Sequence, residues 1–395
     1  MKILFFNYEY PPLGGGAGNA TYYILREFSK IPDFEVDLIT SSIDSDFHAE
    51  KIGNNVKIYR LPIGKNKQNL HFQSKKDILI YTWKSYFFAK KLIAKNKYDL
   101  SHSFFSVPCG YISYKLKKRF KMPYIVSLRG ADVPGYSERF TTLYAILKPL
   151  IREIWSEANY VISNSQGLKD LATKTNGRQE INVIPNGINT DEFKPDLKKY
   201  DDLETRLSNR LSSQNFKILC VSRLTPRKGI KYLIEAFKNL SKKYKNLELI
   251  IVGEGDDKNN LINLSGEEIK NEKIKFTGLV PHNKLPEIYQ TADVFVLPSL
   301  NEGMSNTMLE ALACGLPLIA TDTGGTQELI QNGKNGFIVK MKNPDDLAKK
   351  IQQLIKNPEL RNKMGFESRK LAENFSWQKV AEKYFELYKK IYLIG

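Results

Sequence analysis

Cysteine and histidine are scarce in this chain of 395 residues, which has three of the first and four of the second. Cys109, Cys220 and Cys314 lie far apart in apolar segments and are odd in number. A disulfide framework is therefore excluded, and the expectation is a reduced, cytoplasmic protein. His48, His71, His102 and His282 show none of the spacings of a metal centre. Long apolar runs are missing too: the most apolar stretch, Ile78 to Ala94, is broken by Lys84, Lys90 and Lys91. The opening MKILFF is too short for a signal peptide and leads into a strand-like Ile3 to Asn7. There is no internal repeat and no low-complexity segment. Negative charge is in deficit, with 43 acidic residues against 60 Lys and Arg and a formal net charge of +17.

What is present is enough apolar material for real cores, 42% of the residues, in a length that suits two or three domains. Strand-like and helix-like segments alternate, the pattern of parallel α/β sheets. In the first half the strands read as Ile3 to Asn7, Val36 to Thr40, Val56 to Arg60, Leu100 to Ser103, Tyr124 to Leu128, Tyr160 to Ser163 and Asn182 to Ile184. A polar stretch from Asn186 to Asn215 reads as the domain connection, and a second βα series starts at Phe216. The domains are set at 1–190 and 191–375. A last helix, 376–395, carries Trp377, Ala381, Tyr384, Tyr388 and Ile391 on one stripe.

Ser299 to Thr323 carries two carboxylates, Glu302 and Glu310, around the start of a helix. Val294 to Leu297 reads as a buried strand, so Glu302 falls in a strand-to-helix loop, at the edge where open α/β sheets bind ligands. Thr307-x-x-Glu310 has the form of a capping box. Alone, the pair fits a helix cap plus a solvated loop acid as well as it fits a ligand site. A second constellation changes that balance. After the buried strand Ile218 to Val221 comes Ser222-Arg223-Leu224-Thr225-Pro226-Arg227-Lys228-Gly229, then a helix with Ile230, Leu233, Phe237 and Leu240 on one face. Arg223, Lys228 and the helix N-terminus would converge on one anion, most simply a phosphate.

Glu302-x7-Glu310, the SRL…RKG segment, VGEG (Val252 to Gly255), PNGIN (Pro185 to Asn189) and PPLGGGAG (Pro11 to Gly18) together resemble the retaining nucleotide-sugar glycosyltransferases of family 4, nearly end to end. The resemblance implies the GT-B fold, two Rossmann-like parallel-sheet domains facing a cleft, with the last helix returning to the first. It also implies a donor that is a UDP-sugar or GDP-sugar, and a glycan, lipid-linked or small-molecule acceptor. Glu302, Arg223 and Lys228 take the catalytic roles. The donor set is Gly15, Gly16, Arg129, Arg223, Lys228, Glu302, Gly303, Met304, Ser305, Asn306 and Glu310, with Glu310 on the ribose and Glu302 on the sugar hydroxyls. Asp132 and Asn164 fall on the acceptor side. No metal or other cofactor is expected. Where many relatives carry a His before Gly-x-Asp, this chain has Arg129, which is no base at neutral pH.

Other motifs weigh less. Gly14-Gly15-Gly16-Ala17-Gly18 opens a helix but fails the dinucleotide G-x-G-x-x-G spacing, which counts against a nicotinamide enzyme. It remains a loop whose backbone approaches a ligand closely or packs tightly. Asp44-Ser45-Asp46 looks like a metal-binding DxD, and reads as a solvated loop because no acidic or His-rich partner set accompanies it. Gly333-Lys334-Asn335 reads as a turn.

The positive charge is concentrated. From Arg60 to Gly130 sixteen Lys or Arg stand against Asp77 and Asp99, +14 of the formal +17. Trp83, Tyr86, Phe87 and Phe88 make the Ile78 to Ala94 helix broadly apolar with lysines at its margins. Two readings stand: a buried helix with a solvated lysine edge, or docking to an anionic membrane through Lys84, Lys90, Lys91 and Lys95. In the second the protein is peripheral on the inner face of the cell membrane. Charge alone also admits a non-catalytic binder of nucleic acid or acidic polysaccharide. No nucleic-acid module motif accompanies it, so no nucleic-acid partner is expected, and it leaves Glu302 and Glu310 without a role.

Overall fold

The computed structural model describes residues 1–65, 73–136, 141–196 and 215–394. The chain forms two compact units, Met1–Gly187 with Trp377–Gly395, and Ile188–Ser376. These borders lie a few residues from the 190/191 and 375/376 borders read from the sequence. The physical reason is that Ile188 and Phe193, inside the polar connector, are buried in the core of the second unit, and the Ile188 amide donates to the Phe375 carbonyl at 2.7 Å.

The first unit holds one sheet of β1 (Lys2–Phe6), β2 (Glu35–Ser41), β3 (His48–Ile52), β4 (Val56–Leu61), β5 (Leu100–Phe104), β6 (Tyr124–Leu128), β7 (Tyr160–Ser163) and β8 (Ile181–Val183). Its order is β3-β4-β2-β1-β5-β6-β7-β8. Every pairing is parallel except β3 with β4. Strand β3 is absent from the sequence reading because HAEKI is an exposed edge strand with almost no apolar side chain to bury. The final helix, Trp377–Ile394, packs on the helix Gly16–Phe28. Tyr23 and Trp377 stack with centroids 5.5 Å apart. Tyr388 donates to, or accepts from, His102 Nδ1 at 2.6 Å, and His102 Nε2 meets Ser127 Oγ at 2.7 Å. Burial lowers the His102 pKa well below its usual value, so both ring nitrogens serve a neutral, structural imidazole.

The second unit holds β9 (Phe216–Val221), β10 (Leu247–Val252), β11 (Ile274–Gly278), β12 (Val294–Leu297), β13 (Leu318–Thr321) and β14 (Gly336–Val339), in the order β11-β10-β9-β12-β13-β14 and all parallel. Helices cover both faces, so the strands read as continuous apolar runs. The chain moves outward from β9 in both directions. The topological switch point therefore falls between β9 and β12, the place where such sheets open a ligand crevice at the carboxyl ends of the strands.

The three cysteines are free and buried, and burial pushes the thiols of Cys109 and Cys220 up to about 12. Among the described residues, no helix is long and apolar enough to cross a membrane.

Candidate active site

The loops after β9 and β12 meet at the switch point of the second unit. After β9 the Thr225 amide donates back to the Arg223 carbonyl at 3.0 Å, and Pro226 opens a 3₁₀ turn, Pro226–Lys228, as its fixed φ favours. Gly229 then takes the left-handed conformation, φ 63°, and leads into the helix Ile230–Ser241. A Cβ at Gly229 would lie 2.2 Å from the Pro298 carbonyl oxygen, so only glycine lets the two loops approach this closely. The Leu300 amide donates to the Arg227 carbonyl at 2.8 Å and laces them together.

That lacing sets Lys228 against Glu302. The Lys228 ammonium donates to Glu302 Oε1, and the Ser299 hydroxyl donates to the same oxygen at 2.8 Å. Both side chains are largely covered, at 14% and 11% exposure. The Thr321 hydroxyl at the end of β13 donates to the Ser299 carbonyl. Gly325 lies so close under Gly303 that a Cβ there would be 2.1 Å from the Gly303 oxygen. Gly303, Met304 and Ser305 are buried in the turn between Glu302 and the next helix, and Asn306 is half-buried at its start. Arg223 is exposed at the end of β9, and its guanidinium pairs with no carboxylate among the described residues.

The capping box expected at Thr307 is not formed. The helix is Asn306–Ala313, and Ser305 caps it by accepting from the Met308 amide. Glu310 is thereby freed from capping and placed in the second turn, buried. The Tyr289 hydroxyl donates to its Oε2 at 2.7 Å, and His282 Nε2 lies 3.4 Å from its Oε1. The other His282 nitrogen faces Glu192 Oε1 at 3.6 Å, and the ring packs edge-on to Phe193. The Glu310 carboxylate, helped by Glu192, raises the His282 pKa above its usual value against the opposing effect of burial.

A pH dependence follows. A group whose folded pKa is raised contributes stability that is fully present below its unfolded pKa, about 6.5 for His, and loses it as pH rises through the folded value. The melting midpoint is expected to carry a decline across that window which His282→Gln removes. Identical pH profiles for parent and variant would take His282 out of the Glu310 network.

In the first unit the glycine loop opens the helix Gly16–Phe28, with Gly15 as N-cap and no acidic residue in the first turn. The Gly15 amide donates to Glu9 Oε2 at 3.3 Å, so a carboxylate from the chain itself sits where an anionic ligand group would bind. Arg129 is held within this unit: Nη2 donates to Asn186 Oδ1 at 2.6 Å and the guanidinium lies 4.4 Å over the Phe104 ring. Its Nε is buried with no hydrogen-bond partner among the described residues, and so is Asn164 Oδ1. Asp132, expected on the acceptor side, lies in the first unit. It is buried and accepts from the Ser106 amide and hydroxyl and from the amides of Arg129 and Gly130, four donors at 2.8 to 3.1 Å. All the lone-pair positions of a carboxylate are used, so Asp132 holds two loops in place.

The Asp44 carboxylate is engaged by its own loop. Asp44 accepts from the Ser42 hydroxyl and the Asp46 amide, and His48 Nε2 lies 2.8 Å away. The His48 contact first, then the other two, hold its carboxyl down at about 2. Among the described residues no three His, Cys, Asp or Glu side chains are grouped to hold a metal ion.

The sequence model for glycosyl transferases group 1 matches residues 201–371, and that for Glycosyltransferase Family 4 matches residues 14–192. An uncharacterised glycosyltransferase of Methanocaldococcus jannaschii is 31% identical over 98% of this chain and 98% of its own. The chain belongs to the group 1 glycosyltransferases. Among solved structures, sucrose-phosphate synthase from Thermosynechococcus elongatus superposes with a TM-score of 0.82 at 23% identity, covering all of both chains. HepE of Anabaena in complex with UDP gives 0.74 at 20% identity over 99% of this chain and all of that one. With the two parallel-sheet units, these neighbours establish the GT-B fold.

Of the residues expected at the site of this glycosyltransferase, Lys228, Glu302 and Gly303 to Asn306 come together on one edge, with Glu310 inside the adjoining helix. Sequence reasoning missed His282, Tyr289 and Glu192, which are brought to the Glu310 network only through tertiary packing, and Glu9, whose one signal was an acid five positions before Gly14.

Proposed function

We propose that this glycosyltransferase moves a sugar from a UDP- or GDP-sugar to a glycan, lipid-linked or small-molecule acceptor with retention of anomeric configuration and without a metal. The observation that carries the reading is the Lys228–Glu302–Ser299 cluster at the β9/β12 switch point, with exposed Arg223 at the same strand end. HepE has been solved with UDP and with UDP-glucose, which supports the donor class.

In this reading the bond between the anomeric carbon and the diphosphate breaks and its electron pair stays on the phosphate oxygen. Lys228, Arg223 and the amides of Gly303 to Asn306 meet that charge as it develops, and fixed donors do so without reorganising. Glu302 binds donor-sugar hydroxyls and Glu310 the ribose hydroxyls, roles that suit acceptor-only carboxylates. The acceptor hydroxyl attacks on the face the phosphate leaves, forms the new bond to the anomeric carbon and gives its proton to the departing phosphate oxygen. A double displacement would need a carboxylate beneath the sugar, and neither Glu302, tied to Lys228, nor Glu310, tied to Tyr289, is assigned that role. The resemblance also assigns Gly15, Gly16 and Arg129, all of the first unit, to the donor. Asn164, whose buried Oδ1 has no partner among the described residues, serves the acceptor side.

A thermal-shift panel of UDP, GDP and ADP with their sugars tests the donor. Stabilisation by one nucleotide and its sugar, and none by duplex DNA, is the expected result; stabilisation by DNA alone would restore the binding-protein reading. Because cations of the chain are assigned to the leaving group, transfer is expected to survive EDTA. Complete loss, restored by Mn²⁺ or Mg²⁺, would overturn that assignment and bring back Asp44 and Asp46.

A further inference from the structure

The helix Lys75–Ile93 is built to present an apolar stripe to something outside the chain. Ser74 and Asp77 form a reciprocal capping box at its start. The inward face is Tyr81, Ser85 and Ala89, and the Tyr81 hydroxyl donates to the Ile39 carbonyl at 2.9 Å, which fixes the rotation of the helix on the sheet. The opposite face, again at four-residue spacing, is Leu79, Trp83 and Phe87, with exposures of 68%, 63% and 44%. Trp83 and Phe87 lie against each other, 5.2 Å between centroids, and Leu79 and Trp83 line a shallow hollow of about 550 Å³ with Ile63, Gly64, Ile80 and Lys84. The same spacing continues into exposed Lys75 at one end and exposed Lys91 and Lys95 at the other. None of these three lysines pairs with a carboxylate among the described residues, because Asp77 is taken by Lys65 and Ser74. Lys84, expected to take part, is diverted: its ammonium donates to the Pro62 carbonyl at 2.7 Å.

We propose that this stripe docks the first unit on an anionic lipid bilayer, with Leu79, Trp83 and Phe87 entering the headgroup boundary and Lys75, Lys91 and Lys95 meeting lipid phosphates. An exposed Trp/Phe/Leu face flanked by lysines is the composition of a helix that lies in the interface. Charge selects the occupant. Sixteen basic residues against two acidic ones between Arg60 and Gly130 would oppose like charge in a second copy of this chain and attract an anionic surface. This inference does not rest on the proposed donor chemistry, and its test needs no nucleotide.

The chain itself carries the probe. Of its three tryptophans, Trp155 and Trp377 are 0% and 6% exposed, so an emission shift on binding reports Trp83. Intact protein would be mixed with vesicles of phosphatidylcholine alone, or with phosphatidylglycerol in equal parts, at low and high salt. The expected result is a blue shift and co-sedimentation with the anionic vesicles only, reversed by high salt. Lys75→Gln with Lys91→Gln and Lys95→Gln is expected to weaken partitioning by about 10²-fold, the product of about fivefold per charge at such a surface. Trp83→Ser with Phe87→Ser is expected to abolish co-sedimentation while the melting midpoint stays unchanged, since both sites are exposed. No emission shift, equal binding to neutral vesicles, or concentration-dependent dimers that Trp83→Ser dissolves would each overturn the proposal.

Discussion

Lys228→Ala is expected to lower kcat/KM for glycosyl transfer by about 10²- to 10³-fold, the range for loss of one preorganised donor aimed at developing charge. Two effects combine. The ammonium assigned to the departing diphosphate in the proposed reading is lost, and the Glu302 carboxylate, only 11% exposed, loses its ion-pair partner. Removing one member of a covered pair costs more than the pair itself contributes, because the other charge is stranded. Arg223→Ala is the comparison. Its guanidinium is exposed and pairs with no carboxylate among the described residues, so in the proposed reading its loss reads on the donor diphosphate without stranding a described carboxylate. The two contributions separate in a cycle of Lys228→Ala, Glu302→Gln and the double variant. A strong coupling between the sites and a weak one between Arg223 and Glu302 is expected. Near-parental kcat/KM in Lys228→Ala would remove the lysine from the leaving-group site.

Glu302→Gln is expected to reduce kcat by a comparable factor while leaving the nucleotide Kd nearly unchanged, whereas Glu310→Ala should mainly weaken nucleotide binding. The two carboxylates have different neighbours. Glu302 sits in the loop that Lys228 reaches, where an amide side chain keeps the shape but loses the charge that pairs with Lys228 and that, in the proposed reading, accepts from sugar hydroxyls. Glu310 is inside a helix and is held by Tyr289 and His282 instead. Isothermal titration with nucleotide and steady-state kinetics on both variants would decide it. Equal nucleotide affinity and near-normal turnover in both would sink the two assignments together.

The second unit was the more legible half, for a physical reason. Its strands are buried on both faces, so Ile218 to Val221 and Val294 to Leu297 stand out as apolar runs, and the loops that follow them could be placed before any coordinate was known. Strand β3, polar and on an edge, had no such signal. The helix after Glu302 was read two residues late because Ser305-x-x-Met308 and Thr307-x-x-Glu310 compete as caps, and the close packing of Gly303 against Gly325 decides where the turn ends. Partners distant along the chain left no trace in the sequence: Tyr289 is 21 residues before Glu310, and no periodicity joins them. The apolar character of the Lys75–Ile93 helix was visible, but which aromatics face outward depends on Tyr81 anchoring the other side.

The last helix gives the molecule an order of assembly during synthesis. Ile188–Ser376 is one continuous segment, so its sheet and covering helices can close as soon as they leave the ribosome. The first unit, although translated earlier, lacks Trp377, Tyr384 and Tyr388 until the segment after Ser376 has been made. Until then the neutral His102 imidazole has no Tyr388 hydroxyl, and the apolar face of Gly16–Phe28 is uncovered. The half that begins the chain is thus the half that finishes folding last, and in the interval it depends on whatever in the cell shields exposed apolar surface on nascent chains.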